Sequence, residues 1–200
     1  LRNMQAAVHR LQRAIAKQEK VLLYGDYDVD GTTAVALMAE QLALLGLHCA
    51  YYIPDRYKEG YGVSEAGIDF AIAEGFHLLI TLDCGIKAQV ALGRAKAAGI
   101  DIIVCDHHHP GEELPEAIIL DPMQKECNYP YKGLSGCGVG FKLLQALQQT
   151  NNWDAQLLLD QLDLVAISIG ADIVPITEEN RILCYHGLQK LNASPRKGIV

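Results

Sequence analysis

Long apolar runs are missing from this sequence, and no stretch approaches the roughly 18 to 20 residues a helix needs to cross a bilayer. A protein spanning a membrane by helices is excluded. Positive charge is also short: 17 Lys and Arg stand against 24 Asp and Glu, a formal charge of −7. That excludes the broad basic surface used for sequence-independent nucleic-acid binding. It leaves room for a phosphate substrate bridged by metal, since two divalent ions would add about four positive charges locally. The six cysteines (Cys49, Cys84, Cys105, Cys127, Cys137 and Cys184) form no C-x-x-C pair. With no signal-like N-terminus, they read as reduced, mostly buried thiols of a cytoplasmic protein. Internal repeats and low-complexity segments are absent too. What is plentiful is apolar character: 50% of residues are hydrophobic and only 20% charged, enough for a large core. Because a helical pattern is already running at Leu1 and the end at Val200 is polar, a piece of a longer protein is expected.

The chain is organised around residues 21–33, where an apolar run empties into Asp26, Asp28 and Asp30, followed by Gly31. Three carboxylates so close oppose one another's ionisation, and a divalent cation reverses that sign. Oxygen ligands suit hard ions such as Mg2+ or Mn2+. A solvated acidic turn is the plainer alternative, since Asp and Gly are ordinary turn residues. An EF-hand is excluded: position twelve, which needs a bidentate Glu, is Leu37, and a strand-like run rather than a helix precedes the loop. A dinucleotide-binding Rossmann domain stays as an alternative, although no G-x-G-x-x-G follows that run.

Apolar spacing predicts a helix over residues 4–17, then a strand over 21–25, a buried helix over 32–45 and a strand over 48–53. A helix capped by Ser64, a strand over 77–82, a helix over 87–98, a strand over 101–105 and an apolar run over 117–120 follow. This alternation predicts an α/β fold: an open, mostly parallel five-stranded sheet flanked by helices, with its core over about residues 20–122. From about 133 the texture changes. Gly136, Gly138 and Gly140 read as a glycine-rich turn before a helix over 141–149, and helices are expected over 154–170 and 179–191, making a helical C-terminal part.

In an open parallel sheet, ligands bind beyond the carboxyl ends of the strands. The acids and imidazoles fall at those ends: Asp26, Asp28 and Asp30 after the first strand, Asp83 after the third, Asp106, His107 and His108 after the fourth. Asp83 could instead cap the next helix, and the histidines could be exposed loop residues. Asp172 stands beside Ile173 and Val174, where an unpaired carboxylate is costly and needs a metal or a hydrogen-bond partner. Cys84 and Cys105 read as packing. Several carboxylates with one or two imidazoles suit a pair of Mn2+ or Mg2+ ions, unlike the thiolates or histidines of zinc sites.

Residues 25–33 (GDYDVDGTT), 81–85 (TLDCG) and 106–108 (DHH) resemble, in order, the motifs of the DHH phosphoesterase superfamily in its RecJ version. Residues 163–166 with 170–175 resemble its fourth motif, and 54–56, 59–62 and 133–143 are also RecJ-like. The resemblance implies that residues 1–200 form a DHH domain, without the DHHA1 and oligonucleotide-binding (OB) domains of RecJ proteins. It implies a 5′-to-3′ exonuclease specific for single-stranded DNA in DNA repair and recombination, a hydrolase of phosphoester bonds using two Mn2+ or Mg2+ ions. Metal ligands by that resemblance are Asp28, Asp30, Asp83, His107 and Asp172, with Asp26 added because Tyr24 stands where many relatives have histidine. His108 would contact the scissile phosphate, Asp106 would orient a histidine, and Arg56 and Arg181 would contact phosphates. A small-substrate DHH phosphodiesterase or pyrophosphatase shares these motifs, and a non-catalytic Cdc45-like replication scaffold shares the fold.

Overall fold

Short runs of β-branched and leucine residues build the centre of the molecule. The structure, a computed structural model, describes residues 1–199. Its strands are β1 (Val21–Gly25), β2 (Ala50–Tyr52), β3 (Leu78–Leu82), β4 (Asp101–Cys105) and β5 (Ile118–Leu120). They form one sheet in the order β2-β1-β3-β4-β5, and every neighbouring pair is parallel. Parallel neighbours need long crossovers, which helices supply. Three helices lie in such crossovers, α2 (Val29–Leu44), α3 (Glu65–Ala73) and α4 (Gln89–Ala97); α1 (Met4–Lys17) precedes β1, and α5 (Gly136–Asn151), α6 (Ala155–Leu159), α7 (Leu162–Ala171) and α8 (Glu178–Ala193) follow β5. Among the described residues no helix is long and apolar enough to cross a membrane.

Side chains alternate across a strand, so the sheet has two buried faces. Val21, Leu23, Ile80, Leu82, Ile103 and Cys105 join α1, α2, α5 and α7 in the larger core. Leu22, Tyr24, Leu79, Ile102 and Val104 form a smaller one with Ile68 of α3 and Leu92 of α4. All five residues of β1 and of β3 are buried, which is why both read as unbroken apolar runs.

Three elements differ from the expectation. Helix α2 starts at Val29 rather than 32, because Asp28 caps it by accepting the Gly31 N–H at 3.0 Å. The glycine-rich stretch is the first turn of α5, capped by Ser135, whose hydroxyl accepts the Gly138 N–H at 3.1 Å. The single helix expected over 154–170 is two. Helix α6 ends at Leu159 and α7 begins at Leu162, both packing on α5, and α7 lies against α2 and α8 as well.

Candidate metal centre

Parallel strands end on one rim, and four of them deliver an acid there: Asp26 after β1, Asp83 after β3, Asp106 after β4 and Asp121 after β5. In this strand order the crossovers change direction between β1 and β3, the place where open α/β sheets bind ligands. Helix α2 opens immediately after β1, so Asp28 and Asp30 lie at its N-terminal end, where backbone N–H groups favour negative charge. Asp172 caps the C-terminus of α7.

The structure brings the six candidate ligands together. Oxygens of Asp26, Asp28 and Asp83 lie within 4.8 Å of one another, and so do ligand atoms of Asp30, His107 and Asp172. His107 joins the two groups, with its Nε2 3.1 Å from Asp83 Oδ1, 3.5 Å from Asp172 Oδ2 and 3.7 Å from Asp30 Oδ2. Asp30 is held from behind: its oxygens accept the N–H groups of Gly136 (2.6 Å) and Cys137 (2.7 Å) and the Ser168 hydroxyl (2.7 Å). The N-terminus of α5 thus fixes a carboxylate delivered by α2. Gly136 must be glycine, because a Cβ there would stand 2.7 Å from Asp83 Cα and 2.5 Å from its Cβ.

Several of these atoms are buried with nothing to bond. Both oxygens of Asp26, Asp83 Oδ1 and His107 Nε2 lack a hydrogen-bond partner, although Asp83 Oδ1 and His107 Nε2 face each other. Orphaned buried acceptors are costly. Burial first, then the charges of Asp30, Asp28 and Asp106, push Asp83 up to about 11. Burial and Asp28 raise Asp26, and burial raises Asp172 against the opposing effect of His107. Carboxylates that resist ionisation together, all aimed at one space, fit a site for hard divalent cations.

His108 is occupied differently. Its Nδ1 lies 2.7 Å from Asp106 Oδ1, and an ionised carboxylate can only accept, so Nδ1 carries the hydrogen. Its Nε2, 2.9 Å from Tyr61 Oη, then accepts from that phenol in the neutral ring. Asp106 also accepts the N–H groups of Ile86 (3.0 Å), His107 (2.7 Å) and His108 (3.2 Å). Burial opposes its charge, but the His108 hydrogen bond and these N–H groups hold its carboxyl below the usual range. The same Asp106 hydrogen bond raises His108. Asp106 is therefore engaged with His108 and backbone, and faces no other carboxylate of the cluster within bonding distance.

A family model described as "DHH family, N-terminal domain" matches residues 20–169. The chain belongs to the DHH family. It is 43% identical over 200 residues to the single-stranded-DNA-specific exonuclease RecJ of Bacillus subtilis, covering all of this chain and 25% of that protein. Identity to RecJ of Escherichia coli is 38% over 213 residues, covering 100% of this chain and 37% of the relative. The chain thus spans well under half the length of these relatives. Among solved structures, exonuclease RecJ bound to manganese superposes with a TM-score of 0.89 at 33% identity, over 97% of this chain and 49% of the other. RecJ of Thermus thermophilus in complex with Mn2+ gives 0.84 at 30% identity, over 97% of this chain and 28% of that one.

Other residues of this DHH chain fall outside the cluster. Tyr24 points to the opposite face of the sheet, stacked on Tyr52 at 5.3 Å between centroids. Its hydroxyl donates to Gly62 O at 3.1 Å and accepts the Ser64 N–H at 2.9 Å, so it anchors the loop before α3. Glu59 ties the same loop, accepting from Tyr52 Oη (2.8 Å), Ser64 Oγ (2.5 Å) and the Asp55 N–H (2.8 Å). That loop carries Arg56, exposed with its guanidinium 5.2 Å from the centre of the Tyr27 ring, and Tyr61. Arg181 stands exposed on α8 and, among the described residues, no hydrogen bond or ion pair joins its side chain to the cluster. Tyr61 and Ser168 were not singled out as site residues by the sequence. For Tyr61 the local signal is its position between Gly60 and Gly62, both at positive φ, in the loop preceding a capped helix.

Proposed function

We propose that this chain is the DHH unit, residues 1–200, of an exonuclease of RecJ type that hydrolyses single-stranded DNA from its 5′ end in repair and recombination. The reading is carried by the gathering of Asp26, Asp28, Asp30, Asp83, His107 and Asp172 around buried atoms that lack partners. The solved RecJ relatives bound to manganese support Mn2+ or Mg2+ as the cation. Two ions suit the grouping, with Asp26 and Asp28 on one side, Asp30, His107 and Asp172 on the other, and Asp83 between them. The 5′ direction follows the likeness of the motifs to RecJ proteins.

Divalent ions in such a site supply Lewis acidity toward the phosphodiester and lower the pKa of bound water. The protein's part is to position. His108, fixed at Nδ1 by Asp106, turns Nε2 toward the rim, where exchanging Tyr61 for a phosphoryl oxygen would let the protonated ring stabilise the charge that develops there. Arg56 and Arg181 serve as phosphate contacts along the strand. A scaffold without chemistry has no use for orphaned carboxylates that weaken the fold, so catalysis is favoured over that alternative.

Digestion of end-labelled single strands by the full-length protein tests the reading. Release of nucleotides from the 5′ end, dependent on Mn2+ and absent with duplex DNA, is the expected result. Cleavage restricted to very short oligonucleotides would move the assignment to a small-substrate DHH phosphodiesterase.

A further inference from the structure

A serine inside a helix commonly returns its hydroxyl to the carbonyl one turn back. Ser168 instead reaches out of α7: its Oγ lies 2.7 Å from Asp30 Oδ1 and 2.6 Å from Ser135 Oγ, and all three residues are buried. What each group can accept or donate sets the direction of the hydrogens. Ser135 Oγ accepts the Gly138 N–H at 3.1 Å, and the carboxylate of Asp30 can only accept. Ser168 therefore donates to Asp30, and Ser135 donates to Ser168. A directed chain runs from the first turn of α5, through α7, to a carboxylate delivered by α2. The backbone of Ser168 serves a second candidate ligand, since its carbonyl accepts the Asp172 N–H at 2.9 Å.

The lone pairs of Asp30 are then nearly used up. Each carboxylate oxygen accepts in about two directions. Oδ1 takes the Cys137 N–H at 2.7 Å and the Ser168 hydroxyl, which fills both. Oδ2 takes the Gly136 N–H at 2.6 Å and keeps one direction open, and Oδ2 is the oxygen that stands 3.7 Å from His107 Nε2. Asp30 can therefore offer a cation one oxygen but not two. That restriction separates hard ions by size. Ca2+ takes about six to eight oxygens in a flexible shell and readily draws both oxygens of one carboxylate, whereas Mg2+ demands an octahedron that a two-oxygen bite distorts. We propose that Ser168 is a specificity-determining residue of the metal centre: by filling Asp30 Oδ1 it holds Asp30 to a single-oxygen ligand and favours Mg2+ and Mn2+ over Ca2+. The proposal rests on the metal-dependent function above and names what selects the cation at that site.

The test is direct titration of Mn2+, Mg2+ and Ca2+, each alone, into the metal-free full-length protein and its Ser168→Ala and Ser168→Cys variants. In Ser168→Ala, Mn2+ and Mg2+ should bind about ten-fold more weakly, the lower end of what losing a hydrogen bond behind a metal ligand costs. Ca2+ affinity should hold, because the freed Oδ1 gives that ion a second oxygen and offsets the lost positioning. The preference for Mn2+ over Ca2+ thus shrinks, a change that simple loosening of the fold would not produce. Ser168→Cys keeps a similar shape with a weaker donor, and its preference should fall between the other two. Should Ser168→Ala fail to fold, an unaltered Mn2+ to Ca2+ ratio in Ser168→Cys would overturn the proposal. Equal losses for all three ions in Ser168→Ala would overturn it too, leaving Ser168 as a prop for Asp30 and the metal centre intact. No saturable binding of any of the three ions by the wild type would remove the metal centre and this inference with it.

Discussion

Asp83 bears the tension of the site more than any other residue. It is buried and its backbone is left-handed (φ 61°); Asp30 and Asp28 stand close, and its Oδ1 has no partner. Because its folded pKa of about 11 lies above the ordinary 3.8, the metal-free folded state holds the proton more tightly than the unfolded chain. Stability of that metal-free form therefore falls as pH rises from about 4 toward 11, and is greatest below about 4 as far as this group is concerned. Asp83→Asn removes the charge and keeps a residue tolerant of left-handed backbone. At pH 8 the metal-free variant should melt above the metal-free wild type, and Mn2+ should no longer raise its melting temperature. A variant that melts lower, or still responds to Mn2+, would show that Asp83 is a structural residue.

At the level of elements, the centre depends on two supports that bring nothing to the cations themselves. One is the start of α5, whose N–H groups hold Asp30 and whose Gly136 lets the Asp83 backbone approach. Gly136→Ala should destabilise the protein by about 1–3 kcal/mol through overpacking and weaken Mn2+ binding, read by denaturant unfolding and metal titration. The other is the Tyr24 hydroxyl beneath the loop bearing Arg56 and Tyr61. Tyr24→Phe should cost about 0.5–1.5 kcal/mol, since it removes the hydrogen bonds to Gly62 O and the half-buried Ser64 N–H, and should lower hydrolysis more than Mn2+ affinity. The strands, and the loops that deliver Asp26, Asp83 and His107, were legible in the sequence because buried parallel strands are apolar throughout and stop abruptly at acids. The start of α5 was not, since three glycines in five residues oppose a helix by propensity. Only the close approach of Asp83 explains the glycine at 136. Tyr24 stood for a missing ligand only by the resemblance, which sets it where many relatives have histidine; the face its side chain takes was not visible in the sequence.

For the whole molecule, the −7 charge and the acidic rim pose one problem with one resolution. A polyanion approaching this rim is repelled unless cations are bound first, so DNA binding and hydrolysis should both require the metal. Binding to the folded state alone stabilises it by about 2.7 kcal/mol at a hundred-fold excess over Kd. For a chain of this size that is about 5–10 °C in melting temperature, to be checked by thermal unfolding with Mn2+ and with chelator. The central claim is that acids and imidazoles distant in sequence grip cations together on this rim. Direct titration of Mn2+ into the full-length wild type and its His107→Ala variant tests it most simply. The account predicts saturable binding in the wild type and at least ten-fold weaker binding in the variant with its fold retained; undiminished affinity in His107→Ala would contradict it.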